Sequence, residues 1–443
     1  MEQPTQAQKV TAYMDRLMDP EDVADYLKDL AYNASVGKLV LNALDFAEEG
    51  LLERLRILFQ TRFGDWDEIV LKYCRGPVDL VVTAILKSSA KIGTLCLIAS
   101  TLKDCVGETF SKGLPSNVTL AKLMIWGTRL SRKNIYSIRQ GLIGNTTLKE
   151  LSFNNSRIEK EATREFCSQL SNQTHNMAGL KRLDLFSCDL QDAVVAAIVK
   201  SLNGHPNLEH LELGKNQCST ASLIAIGTLL GSRKTNLKYL SLALQDSRKN
   251  IPFFEISHMT GGLGLNSSLE SLMVRGNQLS FNGMKSLVTC LSKNTTLEEL
   301  MMTDCELGND SFEYFVTHLH DMKGLRRVWL NGFQSTGIAG RKKMINALET
   351  ALQTNVILEA IHMPFGYDAY GSKVNDLLDL NRGGRRLLQA SNNEFSHTLW
   401  PLVLERVNRV HLPGSHRSKE MELANRKANI MYSLLRGRVL LEV

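Results

Sequence analysis

One six-residue phrase recurs along this chain. It reads Leu148-Lys-Glu-Leu151-Ser-Phe153, Leu180-Lys-Arg-Leu183-Asp-Leu185, Leu208-Glu-His-Leu211-Glu-Leu213, Leu269-Glu-Ser-Leu272-Met-Val274 and Leu297-Glu-Glu-Leu300-Met-Met302. Fixing the first apolar position of each unit gives Val36, Trp66, Ile92, Leu120, Leu148, Leu180, Leu208, Leu237, Leu269, Leu297, Leu325 and Leu358, at intervals of 26 to 33 residues. A unit of that length cannot bury its own apolar face, so it must stack on a copy of itself.

The local pattern specifies the shape of each unit. In the second half of the phrase two apolar residues stand two apart, and on a strand both point to one face. Three residues after the phrase comes Cys188, Asn216, Asn277 or Cys305, and two later Leu190, Cys218, Leu279 or Leu307. The polar turn residue can bond loop backbone groups and stack in a ladder with its equivalents. A helix then returns the chain: Met284, Leu287, Val288 and Leu291 in one unit, Phe312, Phe315, Val316 and Leu319 in the next, Val195, Ile198, Val199 and Leu202 in an earlier one. Those spacings make one apolar stripe, which faces the strands. Helices are wider than strands, so the stack is expected to curve with its sheet inside.

These residues resemble the leucine-rich repeat, and a 28-residue period with Asn or Cys at the turn resembles the ribonuclease-inhibitor-like subclass. The resemblance covers about three quarters of the chain. It implies an α/β solenoid, a horseshoe with concave parallel sheet, convex helices and helical caps at both ends. Residues 1–33 are expected to form an N-terminal helical cap. There Val10, Tyr13, Met14 and Leu17 make one helical stripe, and Asp19-Pro20 opens a second helix through Val23, Tyr26, Leu27 and Leu30. Residues 34–369 then hold about twelve repeats, and 370–443 a basic helical cap with helices over 373–388, 399–410 and 419–435. The segments 380–388 and 399–406 resemble the closing part of uncharacterised algal leucine-rich-repeat proteins.

Charge and composition exclude several function classes. The net charge is +6 over 443 residues, and residues 370–443 carry 12 Lys+Arg against 7 Asp+Glu, a surplus of 12 − 7 = 5. Extra arginine on solvated helix faces accounts for it. The polar N-terminus has no signal core, and no apolar run of 18 residues spans a bilayer. The eight cysteines (74, 96, 105, 167, 188, 218, 290 and 305) form no tight pairs, so they read as small buried hydrophobes in a reducing, cytoplasmic compartment. Asn145-Thr-Thr and Asn294-Thr-Thr precede repeats at one offset, which suits a turn better than glycosylation. On the strands Lys38, Lys122, Arg182, Arg275 and Arg327 alternate with Glu68, Glu150, Asp184, Glu212 and Glu299, and such mixed signs argue against nucleic acid.

No nucleotide-binding, zinc-protease, hydrolase or kinase signature is present. Gly261-Gly-Leu-Gly264 follows no strand in the right register, so it is read as a loop or helix approach. Asp184 and Glu212 hold one offset in adjacent units, about 5 Å apart on neighbouring strands. They are read as solvated carboxylates with Arg182 and His210 as counter-charges. No catalytic residue, cofactor or metal is expected.

The positions pointing off the sheet carry the functional reading. Between the second and third apolar residues the units present Val40, Val70, Cys96, Met124, Ser152, Asp184, Glu212, Ser241, Met273, Met301, Trp329 and His362. Two residues later come Trp126, Phe186, Arg275 and Asn331. Exposed Trp, Met and Arg are enriched at interface cores. Two patches are therefore expected to bind a protein partner: Met124 with Trp126 and Phe186, and Met273 with Arg275, Met301 and Trp329. The chain is read as a non-catalytic interaction scaffold or recognition module. The alternative is a regulator of a small GTPase, of the GTPase-activating type, although such relatives carry an acidic tail where this one is basic. A receptor sensor would need a nucleotide-binding domain, and the 35 residues before the first repeat do not hold one.

Overall fold

A computed structural model describes residues 10–15, 20–33, 35–48, 50–62, 64–100, 102, 109–159, 162, 179–232, 234–245, 254–330, 337–362, 372–383, 385, 405–407, 427–428 and 430. The chain divides into two compact units, Met1–Ile251 and Pro252–Val443.

In the first unit the strands are β1 (Val10–Asp15), β2 (Val36–Asn42), β3 (Trp66–Lys72), β4 (Ile92–Ile98), β5 (Lys122–Trp126), β6 (Glu150–Ser152), β7 (Arg182–Asp184), β8 (His210–Glu212) and β9 (Tyr239–Ser241). Each pairs in parallel with the next. From β2 onward the register joins equivalent positions: Leu39, Ile69, Leu95, Leu123, Leu151, Leu183, Leu211 and Leu240 form one buried row. Between the strands run helices such as Leu51–Thr61, Val78–Leu86, Arg132–Leu142, Asp192–Ser201 and Thr220–Gly231. The second unit repeats the arrangement with β10 (Ser271–Met273), β11 (Glu299–Met301), β12 (Arg327–Trp329) and β13 (Ala360–His362), again parallel and in chain order. Its helices are Ser257–Leu265, Phe281–Leu291, Asn309–Thr317, Gly337–Thr354 and Ser372–Arg382. The stripes expected on three helices (Val195 to Leu202, Met284 to Leu291 and Phe312 to Leu319) are all buried.

Two side-chain ladders stitch the repeats together. At the turns after six of these strands, a donor reaches a carbonyl of the preceding repeat: Cys74 Sγ to Leu41, Ser100 Oγ to Leu71, Ser156 Oγ to Ile125, Cys188 Sγ to Phe153, Asn216 Nδ2 to Leu185 and Gln245 Nε2 to Leu213. In the second unit Cys305 Sγ donates likewise to Val274. The residue just before this donor turns the chain in the left-handed region, as at Tyr73, Ser187, Lys215 and Asp304. A second ladder lies at the strand entrances. Asn145 Nδ2 donates to Leu114 O at 2.9 Å and Asn294 Nδ2 to Leu263 O at 2.7 Å, while each Oδ1 accepts the N–H three residues on. Both asparagines are buried with their amide nitrogens engaged, which is the turn role expected of those triplets.

The first departure from expectation is at the N-terminus. Val10–Asp15 is a strand, not a helix. Ala12 and Met14 are buried while Thr11 and Tyr13 are exposed, a period of two, and the segment pairs with β2. The helix expected after Asp19 is present as Pro20–Tyr32. Residues 10–32 thus form another strand–helix unit, and the irregular units starting at Val36 and Trp66 are repeats as well. A buried guanidinium, Arg62, closes this end: it donates to the Leu30, Asn33 and Val36 carbonyls and lies 4.1 Å from the Trp66 ring centroid.

The glycine run at 261–264 falls inside the helix Ser257–Leu265. In the C-terminal segment, Arg385 donates to the Leu352 and Gln353 carbonyls at the end of helix Gly337–Thr354. Asn381 donates to the carbonyls of Asn355 and Leu358. The helices expected over 399–410 and 419–435 lie almost wholly outside the described residues. Six cysteines among the described residues are free and buried, and burial pushes their thiols up, to about 11 for Cys74 and Cys96. Among the described residues no helix is long and apolar enough to cross a membrane, and no cluster could hold a metal ion.

Candidate partner-binding face

On every strand the leucine positions turn toward the helices, so the residues between them face the other way. In the second unit these form a row. Met273 pairs in register with Met301, Met301 with Trp329 and Trp329 with His362. The Trp329 and His362 rings stack at 4.8 Å and 17°. Partial desolvation, then the Arg382 guanidinium, lowers the proton affinity of His362. Met273, Met301 and Trp329 are each partly exposed. Glu299 borders the row, accepting from Ser271 Oγ at 2.8 Å and pairing with Arg327 at 3.5 Å. Arg275, expected to work with the two methionines, points across the turn to Asp304 at 3.2 Å, and both partners are exposed. Asn331 lies outside the described residues.

The first unit arranges its apolar side chains differently from the expected patch. Met124 packs with Val40, Val70, Cys96 and Ile98. Val40, Val70 and Cys96 are 9%, 5% and 5% exposed, because small side chains in register on adjacent strands shield one another. Trp126, 46% exposed, is the register neighbour of Ile98. Phe186 does not join them, since β6 lies between its strand and β5. It covers Gly214, where an added β-carbon would meet Phe186 Cδ2 at 2.9 Å. The structure also brings out Tyr73, exposed at its left-handed turn position, which the strand pattern leaves unmarked.

The central acidic pair also departs from expectation. Asp184 and Glu212 do stand opposite each other on β7 and β8, but Asp184 is buried and Glu212 only partly exposed. Asp184 is 8% exposed and its Oδ1 accepts the Phe186 N–H at 3.0 Å. Glu212 Oε1 accepts the Gly214 N–H at 2.6 Å. Burial raises the proton affinity of Glu212, with Asp184 adding to the effect and Ser241, Gly214 and Arg182 offsetting part of it. His210 is no counter-charge: burial, then Arg182, drops its pKa to about 4, and its ring stacks on Tyr239 at 4.0 Å and 5°. Arg182 alone remains, 4.0 Å from Asp184. Side chains on short strands in register crowd one another out of water, which the letters of one strand do not reveal.

Comparison with known proteins agrees with this architecture. The family model described as leucine-rich repeat matches residues 293–315. NACHT, LRR and PYD domains-containing protein 3 of Macaca mulatta is 24% identical over 303 residues, which is 68% of this chain and 28% of that protein. Ribonuclease inhibitor of Sus scrofa is 22% identical over 327 residues, covering 72% of this chain and 68% of the inhibitor. Capping protein, Arp2/3 and myosin-I linker protein 3 of Rattus norvegicus is 26% identical over 195 residues, 43% of this chain and 14% of that protein. The chain therefore spans under a third of the length of the NACHT relatives it matches. With its stacked strand–helix units, parallel register and Asn/Cys turn ladder, the chain is a leucine-rich-repeat protein of the ribonuclease-inhibitor-like type.

Proposed function

We propose that this chain is a non-catalytic recognition module that binds a partner protein on the helix-free face of its sheet. The observation that carries the reading is the row Met273, Met301, Trp329 and His362, in register, partly exposed through its first three members, exposed at His362 and bordered by ion pairs. Flexible apolar and aromatic side chains ringed by polar groups have the composition of an interface core. Met124 and Trp126 supply a smaller apolar surface in the first unit. The relatives add support: one is named for inhibiting ribonuclease and one for linking capping protein, Arp2/3 and myosin-I.

The test is affinity capture from source cells, partner identification by mass spectrometry, and a binding constant for the double variant Trp329→Ala/Met301→Ala. Binding is expected to weaken by about 2 kcal/mol, roughly 30-fold. Unchanged binding overturns the reading. GTP hydrolysis by a panel of small GTPases, measured with and without the chain, separates simple docking from regulation of a GTPase.

A further inference from the structure

On the helix-free face of β1 to β5 the charges are met by neighbours, with one exception. Lys38 pairs with Glu68 at 2.6 Å, and Lys122 with Glu150 of β6 at 2.8 Å. Asp15 accepts from Asn42 Nδ2 at 2.8 Å. Lys72 pairs with no carboxylate among the described residues, and its register neighbours, Asn42 and Ile98, are uncharged. Its ammonium lies 5.2 Å from the Tyr73 ring centroid. A cation resting beside a ring still has its charge and donors to offer an anion.

Exposed rings and an apolar floor adjoin this charge. Lys72, Ile98 and Trp126 are in register on β3, β4 and β5. Lys72 and Trp126 therefore stand two strand spacings apart, roughly 10 Å. Ile98 and Met124, both partly exposed, lie on the buried cluster of Val40, Val70 and Cys96. Tyr73 and Trp126 are 53% and 46% exposed. Tyrosine and tryptophan over such a floor are interface anchors. Rings alone would also suit a cation, but Lys72 repels one. A polyanion such as a nucleic-acid strand would meet Glu68 and Glu150 on the same face. One unmatched cation beside two rings complements one carboxylate beside an apolar group.

We propose that Lys72, Tyr73, Ile98 and Trp126 form a docking site for an extended segment of the partner protein, one that carries a carboxylate about three residues from a large apolar or aromatic side chain. An extended chain advances about 3.3 Å per residue, so that spacing matches the interval from Lys72 to Trp126. This rests on the docking reading above and names the chemistry that the partner brings to the first unit.

The experiment depletes a random dodecapeptide display library on the full chain carrying Lys72→Ala/Trp126→Ala, then selects on the parent chain. Both side chains are at least partly exposed, so the variant is expected to keep the fold. Enriched peptides should carry Asp or Glu about three positions from an aromatic residue, Leu or Met. A synthetic copy of the most enriched one, titrated calorimetrically, should bind at least tenfold more weakly to Trp126→Ala and to Lys72→Glu. Binding to Trp329→Ala/Met301→Ala should stay within twofold. Exchanging the peptide's acid for lysine should recover at least threefold of the binding lost in Lys72→Glu. No enrichment over the depleted variant, enriched peptides without an acid, or equal loss in Lys72→Glu and Trp329→Ala/Met301→Ala overturns the proposal. So does oligothymidylate binding that depends on Lys72 and Trp126 while no peptide binds. A captured partner lost by Trp329→Ala/Met301→Ala but kept by Lys72→Ala/Trp126→Ala would leave the docking reading standing and remove this one.

Discussion

His210 lies flat on Tyr239 with its Nε2 sealed from solvent, so a proton there would put a second cation beside Arg182 with no acceptor. Folded His210 titrates near 4 against 6.5 for the free side chain. Between those values the unfolded chain binds the extra proton, so stability is full above about pH 6.5 and falls as pH drops toward 4. The loss is on the order of 2 kcal/mol. Glu212 works in the opposite sense, since its raised proton affinity favours the folded chain at low pH. His210→Phe keeps a ring against Tyr239 and cannot titrate. Denaturant midpoints from pH 4 to 7 should fall less for this variant than for the parent, and parallel acid limbs would refute the assignment. At this scale the sequence was legible in part. Cys188, Asn216, Asn277 and Cys305 stand out at the turn because Asn and Cys recur there. Ser100, Ser156 and Gln245 do the same work without standing out, because a repeat pattern marks residue identity and the ladder needs only a donor.

Strands and helices follow from periodicity wherever a segment is long enough for the two periods to diverge. The return helices whose stripes the sequence marks, Val195 to Leu202, Met284 to Leu291 and Phe312 to Leu319, are where the spacing puts them. Val10–Asp15 spans only six residues, and its apolar side chains satisfy both periods. The parallel partner β2 decides between them, and pairing to a strand 26 residues away in sequence is invisible to a local pattern. The strand reading makes a sharp prediction. Met14→Ser empties a fully buried site and is expected to cost about 3 kcal/mol. Tyr13→Ser, at a side chain 51% exposed, is expected to cost under about 1 kcal/mol. Equal costs in urea denaturation would restore the helical stripe. Exposure, for the related reason, belongs to neighbouring strands as a set. Val70 and Cys96 looked open on their own strands and are covered by the side chains beside them.

At the scale of the molecule, each compact unit is a stack in which a repeat touches chiefly the repeats before and after it. Damage is therefore local. Leu300→Ala in β11 removes a fully buried side chain and is expected to cost about 3 kcal/mol. Hydrogen exchange read by mass spectrometry should show protection lost most in β10, β11 and β12, with β2 to β4 little changed. A uniform loss along the whole chain would contradict the nearest-neighbour picture.

The turn ladder has a consequence for how such a chain can drift. The rungs at Cys74, Ser100, Ser156, Cys188, Asn216, Gln245 and Cys305 donate to a main-chain carbonyl of the preceding repeat, and every residue offers that acceptor whatever its side chain. Thiol, hydroxyl and amide therefore substitute for one another without altering the pitch of the stack, and a whole repeat can be duplicated or lost if its own donor goes with it. Such an array can preserve its architecture while its spelling changes. Selection is left free to rewrite the helix-free face strand by strand.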